Sequence, residues 1–156
     1  MIRKYKTFLT IAKMLNEELN ITPVLYGSLG LSMCIKEKIE INDIDILVPE
    51  DLLKDKWPLL EKAMNNLKYD LINLDEHEFK KNGQVVAFGR LGGIDDDLGI
   101  DSSKLEIADE NGVRFFVLSL NDYKKAYAYS LKDGYRRKKR GTADKLKIET
   151  INKHLF

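Results

Sequence analysis

A short apolar stretch that ends in Gly27-Ser28 is followed, fifteen residues on, by a second apolar stretch that begins around two acids. Val24 to Tyr26 and Ile44 to Val48 predict two buried strands, with Asp43 and Asp45 at the start of the second. The residues between the two strands predict a helix. This order predicts a β-α-β unit and places the chain among α/β folds.

The same stretch carries the clearest chemical signal in the chain. A glycine-serine turn that opens a helix, as Gly27-Ser28 does, offers backbone N–H groups and a hydroxyl to an anion, typically a phosphate. Asp43 and Asp45 lie at positions i and i+2 of a strand, so their side chains share one face. Carboxylates this close repel each other unless a cation lies between them, and Mg²⁺ is the usual one. Together these features indicate phosphoryl or nucleotidyl transfer.

Hydrophobic periodicity and turn residues predict the remaining elements. The predicted helices span residues 3–19, 29–38, 52–67 with a break near Pro58, 120–131 after the cap Ser119, and 142–154 after the cap Thr142. Further strands are predicted over 69–74, 84–91, 105–108 and 113–118, with hairpin turns at Lys81-Asn82-Gly83 and Glu110-Asn111-Gly112, and 92–103 is predicted to be an exposed loop.

Length and charge predict one domain and leave the partner open. The 156 residues are expected to form a core over about 20–118, with C-terminal helices over about 119–156. With 26 basic and 25 acidic side chains, the total charge neither favours nor excludes a polyanionic partner. The charges are unevenly distributed: residues 95–110 are acid-rich, whereas Arg136 to Arg140 are all basic. That basic run is first interpreted as a solvated turn, and the alternative is a phosphate contact.

The single cysteine and the hydropathy pattern indicate a reducing compartment. Cys34 has no cysteine to pair with, and together with Leu31 and Ile35 it is expected to lie on the inner side of its helix. The start, Met1 to Lys4, leads into a charged helical pattern and does not resemble a signal-peptide core. No apolar run approaches the roughly 20 residues that span a bilayer. We therefore expect a cytoplasmic protein without a membrane partner, whose oligomeric state the sequence leaves open.

Tyr26-Gly27-Ser28, a short helix, and then Asn42-Asp43-Ile44-Asp45 at the head of a strand resemble the signature of the polymerase-β-like nucleotidyltransferase superfamily. The resemblance implies a small mixed sheet flanked by helices. It also implies that Gly27 and Ser28 hold the phosphates of a nucleoside triphosphate, and that Asp43 and Asp45 are catalytic residues that bind Mg²⁺.

The C-terminal part resembles a narrower group. Val117 to Tyr123, a lysine-bearing helix, then Lys138-x-Arg140 and Asp144 are similar to the tail of stand-alone bacterial nucleotidyltransferases. These include the lincosamide-type resistance enzymes and the toxins of abortive-infection toxin–antitoxin pairs. The resemblance implies that a lysine of this helix, Lys124 or Lys125, with Lys125 preferred, and Arg140 contact substrate or phosphate. Tyr123 and Tyr127 are first interpreted as core residues, with base stacking as the alternative.

The chain departs from this superfamily at the third catalytic carboxylate, which commonly lies on a later strand. The corresponding stretch, Gln84 to Leu91, contains no acid. Asp97 is taken as the third catalytic residue if its loop curls back over the site, with a solvated acidic loop as the alternative. The other candidates are Asp95, Asp96, Glu76 and Glu78.

Two functions of different classes follow from the resemblance. The favoured one is Mg²⁺-dependent transfer of a nucleoside monophosphate from a nucleoside triphosphate to a hydroxyl on a small molecule, an RNA or a protein. The alternative is a catalytically degenerate nucleotidyltransferase fold that binds nucleotide, RNA or a partner protein. A third possibility is an unrelated α/β domain, which requires Ser28 to lie far from Asp43 and Asp45.

Overall fold

The computed structural model describes residues 2–132 and 134–155, of which 134–142 are described by their backbone alone. Six α-helices occur in these ranges: α1 (Ile2–Leu19), α2 (Gly27–Ile35), α3 (Trp57–Asn66), α4 (Gly92–Leu98), α5 (Leu120–Lys132) and α6 (Gly134–Leu155). The strands are β1 (Val24–Tyr26), β2 (Ile44–Val48), β3 (Asp70–Asn73), β4 (Glu78–Lys81), β5 (Gln84–Arg90), β6 (Glu106–Glu110) and β7 (Val113–Val117). In these ranges, no helix has both the length and the apolar character needed to cross a membrane.

The strands form one mixed sheet in the order β3-β4-β5-β2-β1-β7-β6. β2 pairs in parallel with β5 and β1 pairs in parallel with β7, whereas β1 and β2 are antiparallel. The predicted β-α-β unit is therefore wrong in strand direction. Periodicity reports that two strands are buried but not which way they run, and here the chain turns back after Lys36, which ends α2 at a φ of 55°.

Apolar side chains pack on both faces of the sheet. On one face, Ile44 and Ile46 of β2 are fully buried in a cluster that includes Phe8 and Leu15 of α1. On the other face, Leu47 packs in a cluster with residues of α5 and α6. Asp43 and Asp45 have the same parity along the chain as Leu47, so they face the C-terminal helices and not the α1 core.

Several predicted elements agree with the structure. β1 and β2 have the predicted bounds, and α5 begins after Ser119, whose Oγ accepts a hydrogen bond from the Asp122 backbone N–H at 3.2 Å. Asn82 and Gly83 both have positive φ, as the hairpin turn predicted at Lys81-Asn82-Gly83 requires, and the turn connects β4 to β5. α3 begins at Trp57 instead of residue 52, because Pro58 is favoured in the first turn of a helix.

Three further expectations are wrong, and one strand is missing from the prediction. Residues 92–98 of the predicted loop form α4, which buries Ile94 and ends at Gly99 with a φ of 65°. Cys34 is exposed, because α2 turns Leu31 and Ile35 inward instead. Thr142 lies inside α6 and does not cap a helix. The unpredicted β4 is only four residues long, too short for a clear alternating pattern.

A close contact joins the C-terminal helices to the centre of the sheet. The Tyr123 hydroxyl of α5 donates a hydrogen bond to the Leu25 carbonyl oxygen of β1 at 3.2 Å. Burial raises the pKa of Tyr123 well above its usual range, so the phenol stays protonated and keeps donating. Gly30 of α2 lies against the same hydroxyl, and a Cβ at that position would overlap with it.

We predict that Gly30→Ala destabilises the protein by about 1–2 kcal/mol, because the overlap outweighs the gain in helix propensity. The free energy of urea unfolding measures the change. Gly93→Ala is the matched control, since a Cβ at Gly93 of α4 would meet its nearest neighbour, Arg90 Cγ, at an ordinary 3.8 Å. Equal stability of the two variants would contradict the packing assigned to Gly30.

Candidate functional site

The turn after β1 folds directly over an acid of β2. In the antiparallel β1–β2 pair, Tyr26 lies opposite Asp45, so Gly27 passes next to the Asp45 side chain. Gly27 has a φ of 66°, and a Cβ on it would overlap with the Asp45 carboxylate. Both facts require glycine here. The next residue, Ser28, is buried in the first turn of α2.

Gly27, Ser28, Asp43 and Asp45 line a single cavity of about 320 Å³. Asp43 and Asp45 flank the fully buried Ile44 and are themselves half-buried. The volume lies at the lower end of the range of about 300–1,000 Å³ found for small-molecule sites. An unrelated α/β domain would require Ser28 to lie far from Asp43 and Asp45. All three residues line the same cavity, so this requirement is not met.

The cavity has a floor, a helical wall and a rim. The floor is formed by Leu47 of β2 and by Ala87 to Gly89 of β5. The further lining residues come from β1, from the segments before β2 and β4, and from helices α4, α5 and α6; they are Tyr26, Asn42, Glu76, Leu98, Tyr123, Ala126, Tyr127, Tyr129, Ser130, Asp144 and Lys147.

The wall contains a buried polar pair and a lysine. Ser130 Oγ of α5 donates a hydrogen bond to Asp144 Oδ2 of α6 at 2.6 Å, and both side chains are buried. One helical turn after Asp144, the Lys147 Nζ lies 5.3 Å from the centre of the Tyr127 ring. Asp144 belongs to the quoted tail pattern, but sequence reasoning missed Lys147. The available signal was its i, i+3 spacing from Asp144 on one helix face.

The strand position beside Asp45 holds no acid. β5 runs parallel to β2 with Ala87 in register with Asp45, so the departure seen in the sequence falls at the centre of the site. Of the five candidate acids, Glu76 is the one found among the described cavity-lining residues.

The other candidates have different surroundings. Asp95 Oδ1 accepts a hydrogen bond from the Ser102 backbone N–H at 2.9 Å, which lowers the pKa of this exposed carboxyl. Asp96 forms an ion pair with Arg90 at 2.9 Å. Asp97 is exposed on α4. Glu78 of β4 lies opposite Ala87, the β5 residue in register with Asp45, but is not among the described cavity-lining residues. The structure therefore does not bring Asp97, the acid preferred from the sequence, to the cavity.

Hydrogen bonds define the turn that carries Glu76. The Glu76 backbone N–H donates to Asn73 Oδ1 at 3.1 Å, and the His77 N–H donates to the Leu74 carbonyl oxygen at 3.2 Å. The His77 carbonyl oxygen in turn accepts from the Phe88 N–H of β5 at 3.1 Å. This last bond ties the turn to the strand that forms the cavity floor.

The sequence pattern assigns contacts with substrate or phosphate to two basic residues, Lys125 and Arg140. Lys125 is exposed, because α5 turns Tyr123, Ala126 and Tyr127 inward. Lys125 is not among the described residues that line the cavity. Arg140, with the rest of the basic run, lies outside the described side chains.

The carboxylate oxygens in the cavity suit Mg²⁺ when the phosphates of a ligand supply further oxygens. The described residues contain no group of three or more His, Cys, Asp or Glu side chains that could hold a metal by themselves. Mg²⁺, however, usually keeps several waters and is bound by one or two carboxylates together with substrate phosphates. Asp43 and Asp45 beside the Gly27-Ser28 turn meet that requirement.

Comparison with known proteins establishes the fold. No family model matches the chain. The chain is 39% identical over 152 residues to the uncharacterized protein YnaI of Bacillus subtilis (strain 168), and the alignment covers 97% of each. Its structure is similar to that of the antibiotic-resistance factor ANT(2'')-Ia, with a TM-score of 0.51 and 12% identity over 96% of this chain and 91% of that one. The fold is thus the nucleotidyltransferase-type α/β fold that the sequence pattern predicts.

The segment that leads into the acids is held by α1. Lys4 Nζ donates hydrogen bonds to the carbonyl oxygens of Ile41 at 2.6 Å and Asn42 at 3.0 Å. The Asn42 carbonyl also accepts from Gln84 Nε2 of β5 at 3.4 Å. These contacts fix the backbone just before Asp43.

We predict that Lys4→Met lowers the free energy of unfolding by about 1–2 kcal/mol, because two carbonyl groups lose a charged donor. Amide hydrogen exchange over residues 41–43 should also accelerate. Lys6→Met, at an exposed position of the same helix, is the control and should stay within about 0.5 kcal/mol of the parent. Unchanged exchange at residues 41–43 in Lys4→Met would show that Lys4 does not hold this segment.

Proposed function

This chain belongs to the family of the Bacillus subtilis protein YnaI, and we propose that it is a Mg²⁺-dependent nucleotidyltransferase. The reaction moves a nucleoside monophosphate from a nucleoside triphosphate to a hydroxyl acceptor and releases pyrophosphate. The observation that carries this proposal is the contact between the Gly27 turn and Asp45, within a cavity that Ser28 and Asp43 also line. A phosphate-binding turn and a carboxylate pair are there combined in one site.

Each part of the site has a role in this reaction. The Gly27-Ser28 turn supplies backbone N–H groups and a hydroxyl to the terminal phosphates. Asp43 and Asp45 would hold Mg²⁺, which when bound neutralises charge on the phosphates and lowers the pKa of the accepting hydroxyl. The acceptor oxygen attacks the α-phosphorus and pyrophosphate leaves. The hydroxyl proton passes to a carboxylate at the rim of the cavity.

Glu76 is the carboxylate that we propose for this proton transfer. It is exposed and lines the cavity from a turn tied to β5, the strand whose Ala87 lies in register with Asp45. With about 320 Å³, the cavity is near the size of one small ligand, so the acceptor would approach from the exposed side where Glu76 lies. The acceptor hydroxyl can belong to a small molecule, an RNA or a protein.

A second candidate function is nucleotide binding without transfer. The observation that favours it is Ala87, a side chain without acid or base function in register with Asp45. The two functions differ in a direct assay. Binding of a nucleoside triphosphate with Mg²⁺, without transfer of α-phosphate label to any RNA, protein or small-molecule hydroxyl in a panel, would favour the second.

We predict that Asp45→Asn lowers label transfer at least about a hundredfold, because an amide in place of the carboxylate costs several kcal/mol of charge stabilisation. The change is isosteric, so the contact with Gly27 keeps its shape and the thermal unfolding midpoint should change little. Asp70→Asn, at an exposed position on β3, is the control and should transfer label at the parent rate. Parent-level transfer by Asp45→Asn would refute the assignment of the site.

We predict that Glu76→Gln lowers the transfer rate by about 10²–10⁴-fold, the usual contribution of a general base, with little effect on triphosphate affinity. Asp97→Asn tests the acid preferred from the sequence and should retain the parent rate. Single-turnover rates with a saturating nucleotide separate the two. The reverse result, with Asp97→Asn inactive and Glu76→Gln active, would restore Asp97 as the third carboxylate.

A further inference from the structure

The helical wall of the cavity carries a cationic side chain to which the proposed reaction assigns no role. Lys147 of α6 lines the cavity and is only 9% exposed. Among the described lining residues it supplies the cationic side chain, whereas Asp43, Asp45, Glu76 and Asp144 supply carboxylates. A cavity with that excess of negative charge repels a triphosphate unless cations offset it.

Neighbouring side chains fix where Lys147 lies. Its ammonium is 5.3 Å from the centre of the Tyr127 ring, within the range of a cation–π interaction. Asp144, three residues earlier on the same face of α6, accepts the 2.6 Å hydrogen bond from Ser130 of α5. That buried bond joins α6 to α5, so the position of Lys147 is coupled to the helix that forms the rest of the wall.

We propose that Lys147 Nζ binds the phosphate chain of the nucleotide, and that Tyr127 and the Ser130–Asp144 pair act as positioning residues for it. This proposal rests on the proposed function, because it assigns part of the nucleotide site. A lysine ammonium is a compact charge with three donors and no acceptor, which suits a phosphate oxygen.

The cation assigned to the phosphate chain belongs to α6, whereas the sequence places the expected basic contact on α5. The sequence pattern assigned substrate or phosphate contact to Lys125 of α5, which is exposed, with Tyr123 and Tyr127 on the opposite, buried part of that helix. The described cation in the cavity comes instead from α6, which packs along α5. We therefore expect the triphosphate to lie between the Gly27-Ser28 turn and the α6 wall.

The test compares triphosphate and nucleoside binding in matched variants. Calorimetric titration with each of the four common nucleoside triphosphates and Mg²⁺ first identifies one that the parent protein binds. Lys147→Met should then weaken binding of that triphosphate roughly tenfold to a hundredfold and leave the affinity for the corresponding nucleoside unchanged. Lys147→Arg should retain most of the affinity. Lys145→Met, at an exposed position on the same helix, is the control.

Two results would overturn the assignment of Lys147 while leaving the proposed function intact. They are parent-like triphosphate affinity in Lys147→Met, and an equal loss of nucleoside and triphosphate affinity. Binding of none of the four triphosphates by the parent protein would instead refute the proposed function, and the assignment of Lys147 with it.

A measurement on the parent protein keeps the proposal testable if Lys147→Met does not fold. Bound triphosphate should shift the NMR signal of the Lys147 side-chain ammonium, which Lys147→Arg identifies, whereas the Lys145 signal should be the same with and without nucleotide. An unshifted Lys147 signal in protein saturated with nucleotide would contradict the contact.

Discussion

The contact between Gly27 and the Asp45 carboxylate is the constraint on which the rest of the site depends. Antiparallel pairing of β1 and β2 sets Tyr26 opposite Asp45, so the chain leaving β1 must pass over that side chain. Only a residue without a Cβ fits there, and its φ of 66° turns the chain into α2. The groups suited to phosphate and those suited to a metal are therefore brought together by backbone geometry.

The C-terminal helices close the cavity through the same region of the sheet. The Tyr123 hydroxyl donates a hydrogen bond to the carbonyl oxygen of Leu25, two residues before Gly27, and lies against Gly30 of α2. Its neighbour on the inner face of α5, Tyr127, contacts the ammonium of Lys147. A change at Gly30 would therefore alter both the packing of α2 and the wall opposite the acids. Stability and ligand binding should be coupled at this contact.

The sequence predicts those parts of the structure that depend on local chemistry. Alternation of Ile44 and Ile46 with Asp43 and Asp45 predicts the bounds of β2 and which residues face the core. The direction of β2 is set by tertiary contacts, so periodicity could not report it. Glu76 and Lys147 line the same cavity as Asp45, although they lie more than thirty and about a hundred positions after it in the chain. These placements depend on the assembled fold and cannot be derived from local sequence. The Gly- and Asp-rich composition hid α4, because the helix has two apolar side chains, the buried Ile94 and the partly buried Leu98.

The absence of an acid at Ala87, in register with Asp45, bears on the turnover of the proposed reaction more than on its binding step. In the proposed reaction, the nucleotide would be held by Ser28, by Mg²⁺ on the Asp43–Asp45 pair and by the α6 wall, and none of these groups is a side chain of β5. Proton removal requires a base near the acceptor, and a carboxylate in register with Asp45 would have been rigidly placed by the strand ladder. Glu76 instead lies on the turn before β4, just outside the β4–β5 ladder that begins with Glu78 opposite Ala87, and the bond from the Phe88 N–H to the His77 carbonyl also links this turn to β5. Substitutions that loosen this turn should therefore lower the rate of transfer while leaving triphosphate affinity intact, which a strand-borne carboxylate would not show.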